Sequence, residues 1–188
     1  RGAVYVSIHY RTGTEGFAAF EGAATNRGLR DQIAALAWVQ ENIAVFGGDP
    51  GRVMVHGESA GGMSIALLLA SPAADGLFHR AIIQSGSSPM AEGPERAADR
   101  ARRIAEALGL APTAEALSAV DQRTLLDTAL PALAEHHDDQ WGTLALGPWI
   151  DDDIVPVDLD AAMLDRPVRG TVWGTNRDEG NLFLITPD

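Results

Sequence analysis

The sequence predicts an α/β fold with a doubly wound, mostly parallel β-sheet and helices on both of its faces. Short runs of apolar and β-branched residues, which are typical of buried strands, alternate along the chain with segments whose apolar residues recur at helical spacing. The chain has 188 residues, of which 46% are apolar, enough for a sizeable core. In parallel sheets of this kind the functional residues lie at the carboxyl ends of the strands, so candidate site residues are expected there.

Three strands and two helices are predicted in the first half of the chain. They are, in order, a strand over residues 2–10, a helix from Leu29 to Ile43, a strand over residues 52–57, a helix over residues 60–70 and a strand over residues 79–86. The strands show little polar alternation, as expected for buried strands. Gly47-Gly48 end the first helix, and Ser71-Pro72 end the second, which is apolar on nearly every side. A glycine-rich loop without a clear period separates the first strand from the first helix.

The second half begins with a helical block over residues 93–135. It is rich in alanine, arginine and glutamate, and its leucines keep helical spacing, which favours an inserted helical block over a linker. We expect breaks in this block at Gly109, Pro112 and Pro131. Residues 144–156 predict a loop or a short strand, and residues 168–174 predict a strand that runs into a polar turn.

Composition excludes several classes of function. The net charge of −12 argues against nucleic acid as a partner, because phosphates attract lysine and arginine. No run of about 18 apolar residues is present, so we expect no membrane span. The chain has no cysteine, which excludes disulfides, thiolate metal sites and cysteine nucleophiles.

The segment Gly57-Glu58-Ser59-Ala60-Gly61 has the G-x-S-x-G pattern of a nucleophile elbow. This composition gives about 0.1 chance matches to the pattern in a chain of this length, so the pattern alone is only suggestive. The pattern also stands directly between a predicted strand and a predicted helix, as an elbow requires. Gly57 and Gly61 are expected at positions where strand and helix pack too closely for a side chain. A serine in such a turn can act as a nucleophile if a base, an acid and oxyanion donors accompany it.

Four blocks of the sequence resemble one known family. Residues 28–64 closely resemble the type-B carboxylesterases, the cholinesterase-like α/β hydrolases, and residues 78–87, 147–156 and 174–183 resemble further blocks of that family in the same order. The resemblance implies the α/β-hydrolase fold, here as a single partial domain over residues 1–188 that is incomplete at both ends. It also implies a serine hydrolase that acts on small carboxylic esters without a cofactor.

The resemblance assigns roles to five residues. It makes Ser59 the nucleophile, Ala60 an oxyanion donor through its backbone N–H, and Glu179 the acid of the triad. Glu58 would line the substrate pocket, and Ser85 would form a hydrogen bond close to the triad.

The residues themselves also favour Glu179, because it lies in a polar turn after a predicted strand, in the chain order serine, acid, histidine. Its neighbour Asp178 remains an alternative acid.

The same chain order places the histidine after residue 179, and none follows. The histidines present are His9, His56, His79, His136 and His137. Their positions do not favour any of them as the base. The family's glycine-rich oxyanion loop is also missing, and we therefore expect these residues to be the central part of a longer hydrolase.

Two acidic segments could suggest a metal site. His136-His137-Asp138-Asp139 has adjacent ligands without a matching second cluster, and Asp151-Asp152-Asp153 lacks the spaced ligands of a calcium loop. Solvated turns are favoured for both, and no metal site is predicted. The family usually has glycine where Asp152 stands, which leaves the local turn geometry open.

The leading hypothesis is a carboxylic ester hydrolase, and the same residues could hydrolyse an amide or a thioester. The alternative is a non-catalytic binding module on this fold, as in the cholinesterase-like adhesion proteins. The presence of both Ser59 and Glu179 argues for the enzyme. Residues 1–188 on their own are expected to be inactive, because they lack the base.

Overall fold

A computed structural model describes residues 2–86, 91–134, 146–165 and 170–179. Its sheet has three parallel strands in the order β1-β2-β3, and the predicted α/β class with a parallel sheet is confirmed. The strands are β1 (Met54–Glu58), β2 (Arg80–Gln84) and β3 (Thr171–Gly174).

Seven α-helices are described in these parts of the chain. They are α1 (Gly13–Phe17), α2 (Arg27–Asn42), α3 (Ala60–Ala70), α4 (Pro94–Ala107), α5 (Ala114–Leu117), α6 (Gln122–Ala134) and α7 (Leu159–Asp165). Short 3-10 turns cover Ile43–Phe46, Pro50–Arg52 and Pro72–Ala74. The end of α2 follows the expected signal, because Gly47 takes the left-handed conformation with φ 81° and its N–H caps the 3-10 turn.

The chain divides into two compact units. The first consists of Arg1–Val6, Ala35–Met90 and Asp158–Asp188, and it contains the sheet. In this unit α3 packs against β1, β2 and α7. Every residue from Ile65 to Ala70 is buried, which explains why this helix is apolar on nearly every side.

The second unit consists of Ser7–Ala34 and Ala91–Val157. Its core forms where α4 packs against α6, since each helix presents one apolar face at helical spacing. The core residues are Ala18, Phe20, Ala101, Ile104, Ala105, Leu117, Leu125, Ala129 and Leu133. Helices α4, α5 and α6 lie within the predicted helical block and contribute to this core. The assignment of both units to one domain remains a prediction.

Three expectations about the elements were wrong. Residues 2–10 form no strand, and residues 2–9 are exposed, because no neighbouring strand among the described residues pairs with this segment. Strand β1 forms as predicted, but its residues are exposed or half-buried, so it is not a buried strand. Pro131 lies inside α6 and does not break it. The helix continues because Leu125, Ala129 and Leu133 keep their contacts with the core on both sides of the proline.

Helix α1 lies in the segment that was predicted as a glycine-rich loop, and helix α7 was not predicted either. The signal for α7 was Asp158, whose Oδ1 accepts a hydrogen bond from the N–H of Ala161 at 2.9 Å, the pattern of an N-cap. Helix α7 has only seven residues and none of them is buried, so it has too little apolar periodicity to detect in the sequence.

Candidate active site

Ser59 stands on a strained turn between β1 and α3. Its φ of 51° and ψ of −117° are rare for a residue with a side chain. The backbone on both sides holds this conformation, because the N–H of Ser59 donates to the carbonyl oxygen of Gln84 at 2.9 Å and its carbonyl accepts from the N–H of Met63 at 2.9 Å. The residue is exposed. The turn therefore presents the serine to solvent, as a nucleophile elbow does.

Close backbone packing requires glycine at one end of the elbow. A Cβ on Gly57 would lie 2.5 Å from the carbonyl carbon and 2.6 Å from the oxygen of Gly61. The expectation for Gly61 itself was wrong, since a Cβ there would meet no described heavy atom within 4 Å. The second crowded position is Gly62, because a Cβ on Gly86 would lie 2.6 Å from the carbonyl carbon of Gly62. Sequence reasoning missed this pair, and the only signal was the doubled glycine after Ala60.

Ala60 is the first residue of α3 and is exposed next to the serine. The N–H groups in the first turn of a helix have no partner within the helix and carry its partial positive charge. The backbone of Ala60 can therefore donate to an oxyanion that forms at Ser59. Glu58 ends β1 on the other side of the serine and is also exposed. Their roles as oxyanion donor and pocket residue remain predictions.

The structure joins Ser85 to Glu179. Ser85 directly follows β2 with a φ of 52°, and its N–H donates to the carbonyl oxygen of Gly174 at 2.8 Å. Its hydroxyl donates to Oε2 of Glu179, and the side-chain amide of Asn176 lies 3.5 Å from the same oxygen. Glu179 is half-buried, whereas Asp178 is exposed. These contacts favour Glu179 over its neighbour as the acid.

The candidate residues share one edge of the sheet. Ser59 follows β1, Ser85 follows β2, and Glu179 lies in the turn after β3. Because the three strands are parallel, their carboxyl ends meet at the same edge, where α/β sheets place their sites. A serine hydroxyl and a carboxylate are thus available at this edge, and an acyl transfer there would need a base between them.

The described histidines lie elsewhere. His79 precedes β2, at the opposite end of the strands, and its Nδ1 accepts the N–H of Val53 at 3.3 Å. His56 is an exposed residue of β1, with its ring centroid 5.8 Å from that of Tyr5. His9 is exposed in the N-terminal segment, and His136 and His137 lie outside the described residues.

The acidic turn after Trp149 is organised by its own backbone. Oδ1 of Asp151 accepts hydrogen bonds from three successive N–H groups, those of residues 153, 154 and 155. Burial opposes the charge of Asp151, but hydrogen bonds from Thr25 and from the backbone outweigh it and lower its pKa. Asp152 has a φ of 58°, a conformation that glycine adopts most easily, so glycine would fit this turn with less strain.

No group of three or more histidine, aspartate and glutamate residues in the described parts of the chain is placed to hold a metal ion, and His136 to Asp139 lie outside those parts. No described helix has the length and apolar character needed to cross a bilayer.

The profile of the carboxylesterase family matches residues 1–187. The chain belongs to the carboxylesterase family. It is 42% identical over 192 residues to the para-nitrobenzyl esterase of Bacillus subtilis (strain 168), a match that covers 98% of this chain and 39% of the relative. It is 37% identical to the cholinesterase of Mus musculus over 97% of this chain and 32% of the relative.

Solved structures agree with this assignment. A PNB esterase structure superposes with a TM-score of 0.85 at 41% identity, covering 95% of this carboxylesterase chain and 39% of the solved one. The fold is therefore that of the α/β-hydrolase carboxylesterases. The chain spans about one third to two fifths of the length of these relatives.

Proposed function

We propose that the whole protein hydrolyses small carboxylic esters through an acyl-enzyme formed on Ser59. The observation that carries the proposal is the strained, exposed serine at the turn between β1 and α3. A serine that only capped the helix would not need a left-handed φ, which costs about 1–3 kcal/mol. The names of the relatives, a para-nitrobenzyl esterase and a cholinesterase, support an ester as the substrate.

In the first half-reaction the hydroxyl of Ser59 gives its proton to a base, and its oxygen forms a bond to the ester carbonyl carbon. The resulting oxyanion accepts a hydrogen bond from the N–H of Ala60. The base returns the proton to the alcohol as the ester bond breaks. Water then attacks the acyl-enzyme with the same base, which releases the carboxylic acid and restores the serine.

The base is a histidine outside residues 1–188, and Glu179 orients it. The carboxylate of Glu179 suits this role because Ser85 and Asn176 hold it at the carboxyl edge of the sheet. A fixed carboxylate selects the imidazole tautomer that accepts the serine proton and stabilises the imidazolium that forms. Glu58, next to the nucleophile, contributes to the wall of the substrate pocket.

Hydrolysis of p-nitrophenyl acetate by the full-length protein tests this proposal. Ser59→Ala is expected to lower kcat by about 10⁵-fold or more, since the serine and its base act as a unit. Glu179→Gln is expected to lower kcat by about 10⁴-fold, because it keeps the shape of the acid but not its charge. Asp178→Asn is the matched control and should stay within about twofold of the unmodified protein.

Three results would contradict the proposal or part of it. If Ser59→Ala retains the activity, Ser59 is not the nucleophile. If the unmodified protein hydrolyses no ester at all, the non-catalytic binding module becomes the better interpretation. A large loss in Asp178→Asn with none in Glu179→Gln would move the role of the acid to Asp178.

A further inference from the structure

We propose that Trp173 is a positioning residue for Glu179. Its indole N–H binds the turn after β2, and Ser85 in that turn binds the carboxylate of Glu179. The inference rests on the proposed function, in which Glu179 orients the base. Among the described residues, the side chain of Trp173 forms no hydrogen bond with Ser59 or Glu179. Its effect on the position of Glu179 therefore passes through the turn after β2.

The contact is a hydrogen bond from Nε1 of Trp173 to the carbonyl oxygen of Gly86, at 2.5 Å. Trp173 is the third residue of β3 and pairs in register with Ile83 of β2. A Cβ on Gly86 would lie 2.9 Å from Cγ2 of Ile83, so Gly86 lies over the face of the sheet on which that side chain stands. Residues in register point to the same face of a sheet, which explains how the indole reaches the turn.

The turn needs an external donor at this point. The last register pair between β2 and β3 joins Gln84 to Gly174, and the N–H of Ser85 makes one more bond to Gly174. The carbonyl of Gly86 lies beyond that ladder, and Gly86 is buried against the backbone of Gly62. A buried carbonyl that lost its donor would be costly to leave unpaired.

The turn is also strained, which makes its position sensitive to that bond. Ser85 has a φ of 52°, and such a conformation persists only where the surroundings hold it. The hydroxyl of Ser85 donates to Oε2 of Glu179, so a rotation of the turn displaces the carboxylate. Catalytic geometry depends on such displacements, since about 1 Å can cost about 100-fold in rate.

Trp173→Phe in the full-length protein tests the inference, because it keeps an aromatic ring and removes the N–H. We expect kcat for p-nitrophenyl acetate to fall about tenfold with KM unchanged, since the substitution shifts the acid and removes no group that the proposed function places against the substrate. We also expect the acid limb of the kcat/KM profile to move to lower pH by about half a unit, because a displaced carboxylate stabilises the imidazolium less. A variant whose only defect was a smaller fraction of folded protein would show the same pH profile as the unmodified enzyme.

Ser85→Ala supplies the decisive comparison. If Trp173 acts through Ser85, the variant with both substitutions is expected to be no slower than Ser85→Ala alone. Losses in kcat that multiply would overturn the inference. Trp38→Phe on α2 is the matched control, as Trp38 is exposed to a similar extent and lies in the same unit. Its kcat and pH profile should not change.

The two proposals fail in different ways. Activity that persists in Ser59→Ala contradicts the proposed function. Activity that requires Ser59 and Glu179 but is unchanged in Trp173→Phe contradicts only the role of Trp173. If Trp173→Phe does not fold, as judged by circular dichroism, Trp173→Met gives the same comparison, since methionine fills irregular space without an N–H donor.

Discussion

Replacing Gly57 by alanine tests whether close backbone packing holds the elbow in place. The added Cβ would lie 2.5 Å from the carbonyl carbon of Gly61, 2.6 Å from its oxygen and 3.0 Å from its Cα. Ordinary contacts begin at 3.4 Å, so β1 and the start of α3 would have to separate by about 1 Å. All three opposing atoms belong to the backbone, and no side chain can rotate away to make room.

The magnitude follows from that displacement. Overpacking of this kind costs about 1–3 kcal/mol, and we expect the upper end here because only backbone can move. The free energy of unfolding of the full-length protein should therefore fall by about 3 kcal/mol in urea titrations. Ser59 lies between the two elements, so kcat/KM for p-nitrophenyl acetate should fall about 100-fold.

Gly61→Ala is the matched control for Gly57→Ala. A Cβ at Gly61 would meet no described heavy atom within 4 Å, and the residue lies in the first turn of α3. Alanine is a better helix former than glycine, so this variant should be at least as stable as the unmodified protein. Equal stability and activity in the two variants would refute the packing argument.

Three further predictions concern the second unit, and each is measured by chemical or thermal unfolding of the full-length protein. The guanidinium of Arg27 donates to four backbone carbonyls at 2.6 to 3.0 Å, so Arg27→Met should lower the free energy of unfolding by about 2 kcal/mol, and Arg27→Lys by less. Asn26 is buried with a φ of 45° and pairs with both backbone groups of Trp149, so Asn26→Ala should cost about 3 kcal/mol and Asn26→Gly about 1 kcal/mol less. The hydrogen bond from Arg11 lowers the pKa of Asp31, so the pair stabilises the fold fully above the unfolded-state pKa and less as pH falls through the folded-state pKa. The decrease of Tm on acidification should therefore be smaller in Asp31→Asn than in the unmodified protein.

Each of these predictions has a result that would contradict it. An Arg27→Met protein within about 0.5 kcal/mol of the unmodified one would show that the four carbonyls do not depend on the arginine. Asn26→Gly as unstable as Asn26→Ala would show that the positive φ contributes nothing. An unchanged acid dependence in Asp31→Asn would mean that Asp31 has the same pKa in the folded and unfolded states.

The local part of the site was predictable because its signals lie within a few residues of each other. A β-branched run, the pattern G-x-S-x-G and an apolar helix placed Ser59 on an elbow, and the structure has the strand, the strained turn and the helix there. The helical block was predictable for the same reason, since its apolar spacing is local. The sequence was less reliable where a prediction depended on neighbours, as for residues 2–10, which have the pattern of a strand but no partner among the described residues.

The sequence by itself determined which residues could carry the chemistry: a serine on a tight turn, and a carboxylate after a later strand. Only the tertiary structure decided which of them meet. Ser85 and Glu179 are 94 positions apart, and Trp173 and Gly86 are 87 positions apart, so no local pattern relates them. The same holds for the close approach of Gly86 to Gly62, which the sequence did not predict. These contacts form because parallel pairing brings the ends of separate strands to one edge, and that pairing depends on the packing of the whole sheet.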